Sequence, residues 1–173
     1  MQSILRVPLI AMVITAVGAV AADPVRAPFS IKISTEHSNV AVGTEVRIRI
    51  VLTNMSDHKI LLERSVGNNE GEVSNNLDIF CSDGKSAPKT KHYMRLRGEF
   101  VERDQHGIGR PSFIGGMYGE FVEPGKNFED NIIVNHNYDL SQPGKYTIQV
   151  SRFDPAYSKT WVKSNIITLT VTP

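Results

Sequence analysis

A polar corner that runs straight into an alternating strand constrains this chain more than any other stretch. Tyr138-Asp139-Leu140-Ser141-Gln142-Pro143-Gly144-Lys145 leads into Tyr146-Thr147-Ile148-Gln149-Val150. Alternation at period two puts Tyr146, Ile148 and Val150 on one face and Thr147, Gln149 and Ser151 on the other. A helix has no use for that spacing, because its faces recur every three or four residues. A Tyr placed just after so tight a turn can bury its ring and return its hydroxyl to backbone upstream.

The same grammar recurs along the chain. Phe29, Ile31 and Ile33 alternate with Ser30, Lys32 and Ser34. Val46, Ile48, Ile50 and Leu52 share one face of a second strand, and Leu77, Ile79 and Cys81 share a face of a later one. Ile60, Leu61 and Leu62 read as a strand covered on both sides or along its edge. Phe128, Ile132 and Val134 mark another, although Glu129-Asp130-Asn131 interrupts its alternation. Ile167, Leu169 and Val171 close the set. Turn chemistry separates these runs at Asn54-Met55-Ser56-Asp57-His58, Ser82-Asp83-Gly84-Lys85, Pro124-Gly125 and Asp154-Pro155. Residues 91–101 fit a strand or a short helix equally well, and no segment after the first 22 residues carries a clear helical period. The expectation is an all-β, antiparallel β-sandwich of seven to nine strands over residues 29–173, after a lead-in at 23–28.

Residues 1–22 read as a secretory signal peptide, with Arg6 as the positive region, Leu9 to Val17 as the apolar region and Ala19-Val20-Ala21 at the cleavage positions. The expected location is therefore secreted or periplasmic, with no stable membrane insertion after cleavage. Of 19 Lys and Arg only Arg6 lies in the leader, which leaves 18 against 18 Asp and Glu. A neutral domain argues against nucleic acid as the partner. Cys81 is the single cysteine, so no intrachain disulfide forms and burial must hold the domain together.

Three stretches besides the corner carry a resemblance: Val51-Leu52-Thr53-Asn54-Met55-Ser56-Asp57, Val122-Glu123-Pro124-Gly125 and Ser164-Asn165-Ile166-Ile167-Thr168-Leu169-Thr170-Val171. Together they resemble immunoglobulin-like domains of secreted bacterial proteins, and more weakly the bacterial intracellular-proteinase-inhibitor family. The resemblance implies an immunoglobulin-like sandwich with a tyrosine corner. It says little about activity, because its motifs are turns and core strands. The Cys pair of antibody domains is missing, and Trp161 falls near the last strand rather than on a central one.

No motif for a nucleophile elbow, a zincin or a phosphate-binding loop occurs, so no enzymatic activity and no cofactor are expected. The irregular stretch from Glu102 to Tyr118 is the leading binding candidate, with Arg110, Phe113, Ile114, Met117 and Tyr118 set among glycines. These residues could enter a partner's groove or fold back over the end of the sandwich. Lys91, Arg95 and Arg97 form a basic run that could meet an anionic surface or simply guard an edge strand. His92 and Met94 would point the same way on a strand and are the weak candidates for a copper ion. Cys81, in step with Leu77 and Ile79, reads as a small core residue. The expected function is a non-enzymatic binding or accessory module that recognises a protein or glycan through its end loops. The alternatives are a protease inhibitor of the sandwich type and a periplasmic copper-binding protein.

Overall fold

The computed structural model describes residues 26–66, 72, 74–99 and 116–173. Its strands are β1 (Phe29–Thr35), β2 (Asn39–Ala41), β3 (Arg47–Asn54), β4 (Ile60–Val66), β5 (Asn76–Cys81), β6 (Gly116–Val122), β7 (Asn127–Ile133), β8 (Gly144–Phe153), β9 (Trp161–Lys163) and β10 (Ile167–Thr172). Two short helices, α1 (Lys91–Leu96) and α2 (Val134–Asn137), interrupt them. One sheet has the order β1-β3-β7; the other has the order β2-β10-β8-β5, with β9 also on β8. The chain is an all-β sandwich. Among the described residues ten strands stand where seven to nine were expected, because β2 and β9 are three-residue pieces too short to show as alternation.

The core is what the alternation requires. Phe29, Ile31 and Ile33 of β1 and Ile48, Ile50 and Leu52 of β3 are buried, and Tyr146, Ile148 and Val150 of β8 meet them from the opposite sheet in one cluster. Burying a side chain of this size contributes roughly 1.5–3 kcal/mol. The corner forms as expected: the Tyr146 hydroxyl donates to the Gln142 carbonyl at 2.6 Å. Asn165 ties the sheets together by accepting from the Ile33 amide at 2.8 Å and donating to the Ile33 carbonyl at 3.1 Å.

One open reading is settled and two expectations need correction. Residues 91–96 are helical; the Thr90 hydroxyl accepts from the Tyr93 amide and so satisfies a first-turn donor that a strand would have paired laterally. Glu129-Asp130-Asn131 does not break β7, since Asp130 takes the core-facing position between Phe128 and Ile132. Leu61 is half exposed, so β4 is covered on one face only. Ser151, placed by alternation on the face opposite Val150, is buried as well.

The two-stranded ribbon β4-β6 continues β3-β7. Thr53 pairs with Asn127 and Ile60 with Val122, so the β3–β4 side carries two more residues across the break than the β6–β7 side. Asn54 stitches this break. Its backbone pairs with Lys126 and Gly125. Its buried side-chain amide donates to the carbonyls of His58 and Val122, both at 2.8 Å.

Candidate ligand cleft

A cleft of about 370 Å³ lies where β4 passes the end of β8. Pro28 and Phe29 close one end, Ile60 to Glu63 form one wall, and Phe153 to Tyr157 form the other, with Ser74 and Arg152 also lining it. Its volume falls at the low end of the ~300–1,000 Å³ common for ligand pockets. Phe153 and Tyr157 remain more than 40% exposed at its lip, and Leu61 is 50% exposed on the facing strand.

The far wall is pinned in place. The Asp154 carboxylate accepts from the amides of Ala156 and Tyr157, each at 3.2 Å, and from the amide and hydroxyl of Ser158 at 2.6 and 2.7 Å. Burial alone would push this carboxyl up, but the four donors outweigh it and hold it below its ordinary value. Lys159 then takes a left-handed backbone, with φ of 51°, to turn the chain into β9. Two ring contacts brace the lip: Phe153 against Trp161 at 5.6 Å and Tyr157 against His58 at 5.2 Å.

Beside the cleft the interior is polar. Arg152 is only 7% exposed, and its Nη2 donates to the Glu63 carbonyl at 2.6 Å. Burial lowers its pKa, while Asp130 and Glu63 oppose that shift. The guanidinium stays protonated at neutral pH. Asp130 in turn accepts from Asn75 at 3.2 Å. Arg97 Nη2 reaches the carbonyls of Asn75 and Glu72, and the buried Glu72 carboxylate meets His92 Nε2 at 2.8 Å and His136 Nδ1 at 3.4 Å.

The residues singled out in the sequence fare unevenly. Arg110, Phe113 and Ile114 lie outside the described residues. The backbone of Met117 sits in β6 opposite Ser65, and Tyr118, also in β6, is exposed, so both belong to a paired strand rather than a loop. Lys91 is exposed on α1, whereas Arg97 is committed to interior carbonyls, so the basic run is not the guard of an edge strand. His92 and Met94 sit two residues apart on a helix, not on one strand face, and His92 faces Glu72 instead. Among the described residues no group of three His, Cys, Asp or Glu is arranged to hold a metal ion. Cys81 is partly buried against the core and free of any disulfide. The cleft itself escaped sequence reasoning. Its one legible trace is Arg152, a charge standing in register with the core-facing Tyr146, Ile148 and Val150.

The fold and the cleft define a β-sandwich with a preformed ligand-sized groove. No family model matches the chain, and no curated protein matches it. Among solved structures it is similar to a DNA-bound alkylpurine DNA glycosylase, AlkC, from Pseudomonas fluorescens (TM-score 0.40, 10% identity), covering 85% of this chain and 31% of that one. It is also similar to the CARDB domain of a Pyrococcus furiosus protein in complex with di-metal ions (TM-score 0.37, 9% identity, 83% and 87% covered). A third is BslA, a bacterial hydrophobin (TM-score 0.36, 10% identity, 87% and 98% covered). The chain thus spans about a third of the glycosylase. Nothing about its own ligand or chemistry follows from likenesses this faint. Among the described residues no helix is long and apolar enough to cross a membrane.

Proposed function

We propose that this chain is a secreted or periplasmic, non-enzymatic binding module that holds part of a protein or glycan partner in the cleft between β4 and residues 153–157. The observation that carries this reading is the cleft's construction: an apolar floor, exposed aromatic rings at the lip, and a wall fixed by four donors on one carboxylate. Exposed rings held in place by other contacts are suited to stacking on an apolar or sugar surface at little ordering cost. The location rests on the leader pattern of residues 1–22. The immunoglobulin-like character rests on the Tyr146 corner and on the parallel pairing of β2 with β10. The test presents the full chain and its Tyr157→Ser variant to a glycan array and to a displayed library of short random peptides. Binding by the parent that drops about tenfold or more in the variant, with unchanged thermal stability, supports the reading. Equal binding by both proteins, or none by either, removes the cleft from consideration.

A further inference from the structure

The cleft has a backbone edge as well as side chains. Ile60, Leu61, Leu62 and Glu63 all line it. Alternate strand residues point to opposite faces, so four in a row can line one cavity only along the strand's edge. Which amides face that edge follows from β3. There, Asn54, with its side chain in the core, donates its backbone N–H to Lys126 on the β7 side. The next residue, Met55, donates to the Pro28 carbonyl on the β1 side. The β4 strand keeps the direction of β3 along the continued ribbon and turns Ile60 and Leu62 into the same core. Its core-facing residues therefore bond toward β6, and Leu61 and Glu63 present their N–H and C=O groups to the lane that β1 would occupy. The Arg152 bond to the Glu63 carbonyl comes from that side. Strand β1 begins at Phe29, and Pro28 before it has no N–H to extend the ladder. Among the described residues nothing pairs with β4 on that side.

We propose that this lane takes an extended peptide strand from a partner protein, which pairs with the outer edge of β4 at Leu61 and Glu63. The inference rests on the cleft reading above and narrows it to a peptide. Main-chain pairing supplies affinity in such strand addition, and pockets for alternate side chains supply selectivity. Here the pocket lies between Ile60, Leu62 and Phe153, and Tyr157 closes its rim, so the peptide carries an apolar side chain at that position. The buried Arg152 keeps the Glu63 carbonyl satisfied, which leaves Leu61 as the residue whose N–H and C=O are both without a partner among the described residues.

The test uses the full chain and a peptide enriched from the short random-peptide library, resynthesised with single N-methyl groups along its backbone. Methylation at alternate residues should weaken binding about tenfold or more, and methylation at the intervening residues should leave it nearly unchanged. Leu61→Pro removes one of the two edge N–H groups, the one at the centre of the proposed pairing, without touching the β6 ladder, a position where Pro is tolerated. It should cost the same factor in affinity while thermal stability holds. On binding, the Leu61 amide should become protected from hydrogen exchange. Uniform tolerance of methylation, or protection that spares Leu61, overturns strand pairing even though the peptide still binds. Binding only on the glycan array overturns it too and leaves the cleft reading standing. No binding to either surface defeats both.

Discussion

Asn54 should be the costliest single polar residue to lose. Its side chain makes four bonds: it donates to His58 and Val122 and accepts from the Ser56 amide and hydroxyl at 2.9 and 2.7 Å. They are not equal. The Ser56 hydroxyl has one proton to share between the Asn54 oxygen and the His58 carbonyl at 2.8 Å, so once Asn54 is gone it can donate to that carbonyl, and the turn is close to water. The bond to the Val122 carbonyl is buried. In Asn54→Ala that carbonyl loses the amide donor at a cost of about 1–3 kcal/mol, and the remaining bonds add about 1 kcal/mol net. The sum is about 2–4 kcal/mol, or about 5–15 °C in Tm for a domain of this size. Asn54→Asp keeps the shape and the acceptor but turns a carboxylate oxygen toward two carbonyls. It should therefore be worse than Ala at neutral pH and recover part of the loss once acid protonates it. Urea unfolding followed by circular dichroism reads both variants. If Asn54→Ala fell within 0.5 kcal/mol of the parent, or Asp proved milder than Ala at pH 7, the stitching role would be refuted.

Three further outcomes are expected. Tyr146→Phe keeps the ring and loses only the bond to Gln142, so it should cost about 1 kcal/mol and lower Tm by about 2–4 °C in a thermal melt. Asp154 has a depressed carboxyl, so its stabilisation is complete above the unfolded value near 4 and fades as pH falls through the folded value. The stability gap between parent and Asp154→Asn should therefore be full at pH 7 and shrink steadily below about pH 4; a gap that widens in acid would contradict this. Burial holds the Tyr138 phenol, which donates to the Leu77 carbonyl at 2.7 Å, well above its usual range. Its contribution is full below about pH 10 and is lost as pH rises further, so alkaline urea titrations should show the parent falling faster than Tyr138→Phe.

Much of the sandwich was legible because alternation answers directly to burial. Phe29, Ile31 and Ile33 had no other way to be arranged. The legibility stopped where a partner from a distant part of the chain sets the cost of burying a polar group. Asp130 looked like an interruption of β7 because its support from Asn75 and Arg152 cannot be seen locally. Arg152 and Asp130 are opposite charges, each in core-facing register on its own strand, and that coincidence was the one available clue to a polar interior. The helix at Lys91–Leu96 had a local clue too: Thr90 stood three residues before Tyr93, the amide it caps. The open lane beside β4 could not be read at all. It depends on where β1 stops and on a contact between Arg152 and Glu63, which lie 89 positions apart.

The clamp formed by Asn165 also dictates when the domain can be complete. Its bonds to Ile33 span 132 positions, and the parallel pairing of β2 with β10 joins Asn39 to Thr170. In the β1-β3-β7 sheet, Leu52 pairs with Phe128. Contacts of such sequence separation defer the reward for ordering the chain, and domains built on them fold in milliseconds to seconds. A polypeptide emerging from the ribosome can pair β1 with β3 early, but that sheet waits for β7, and the second sheet and the Asn165 clamp wait for residues 165–172. Until then the nascent chain has no finished structure to lock it.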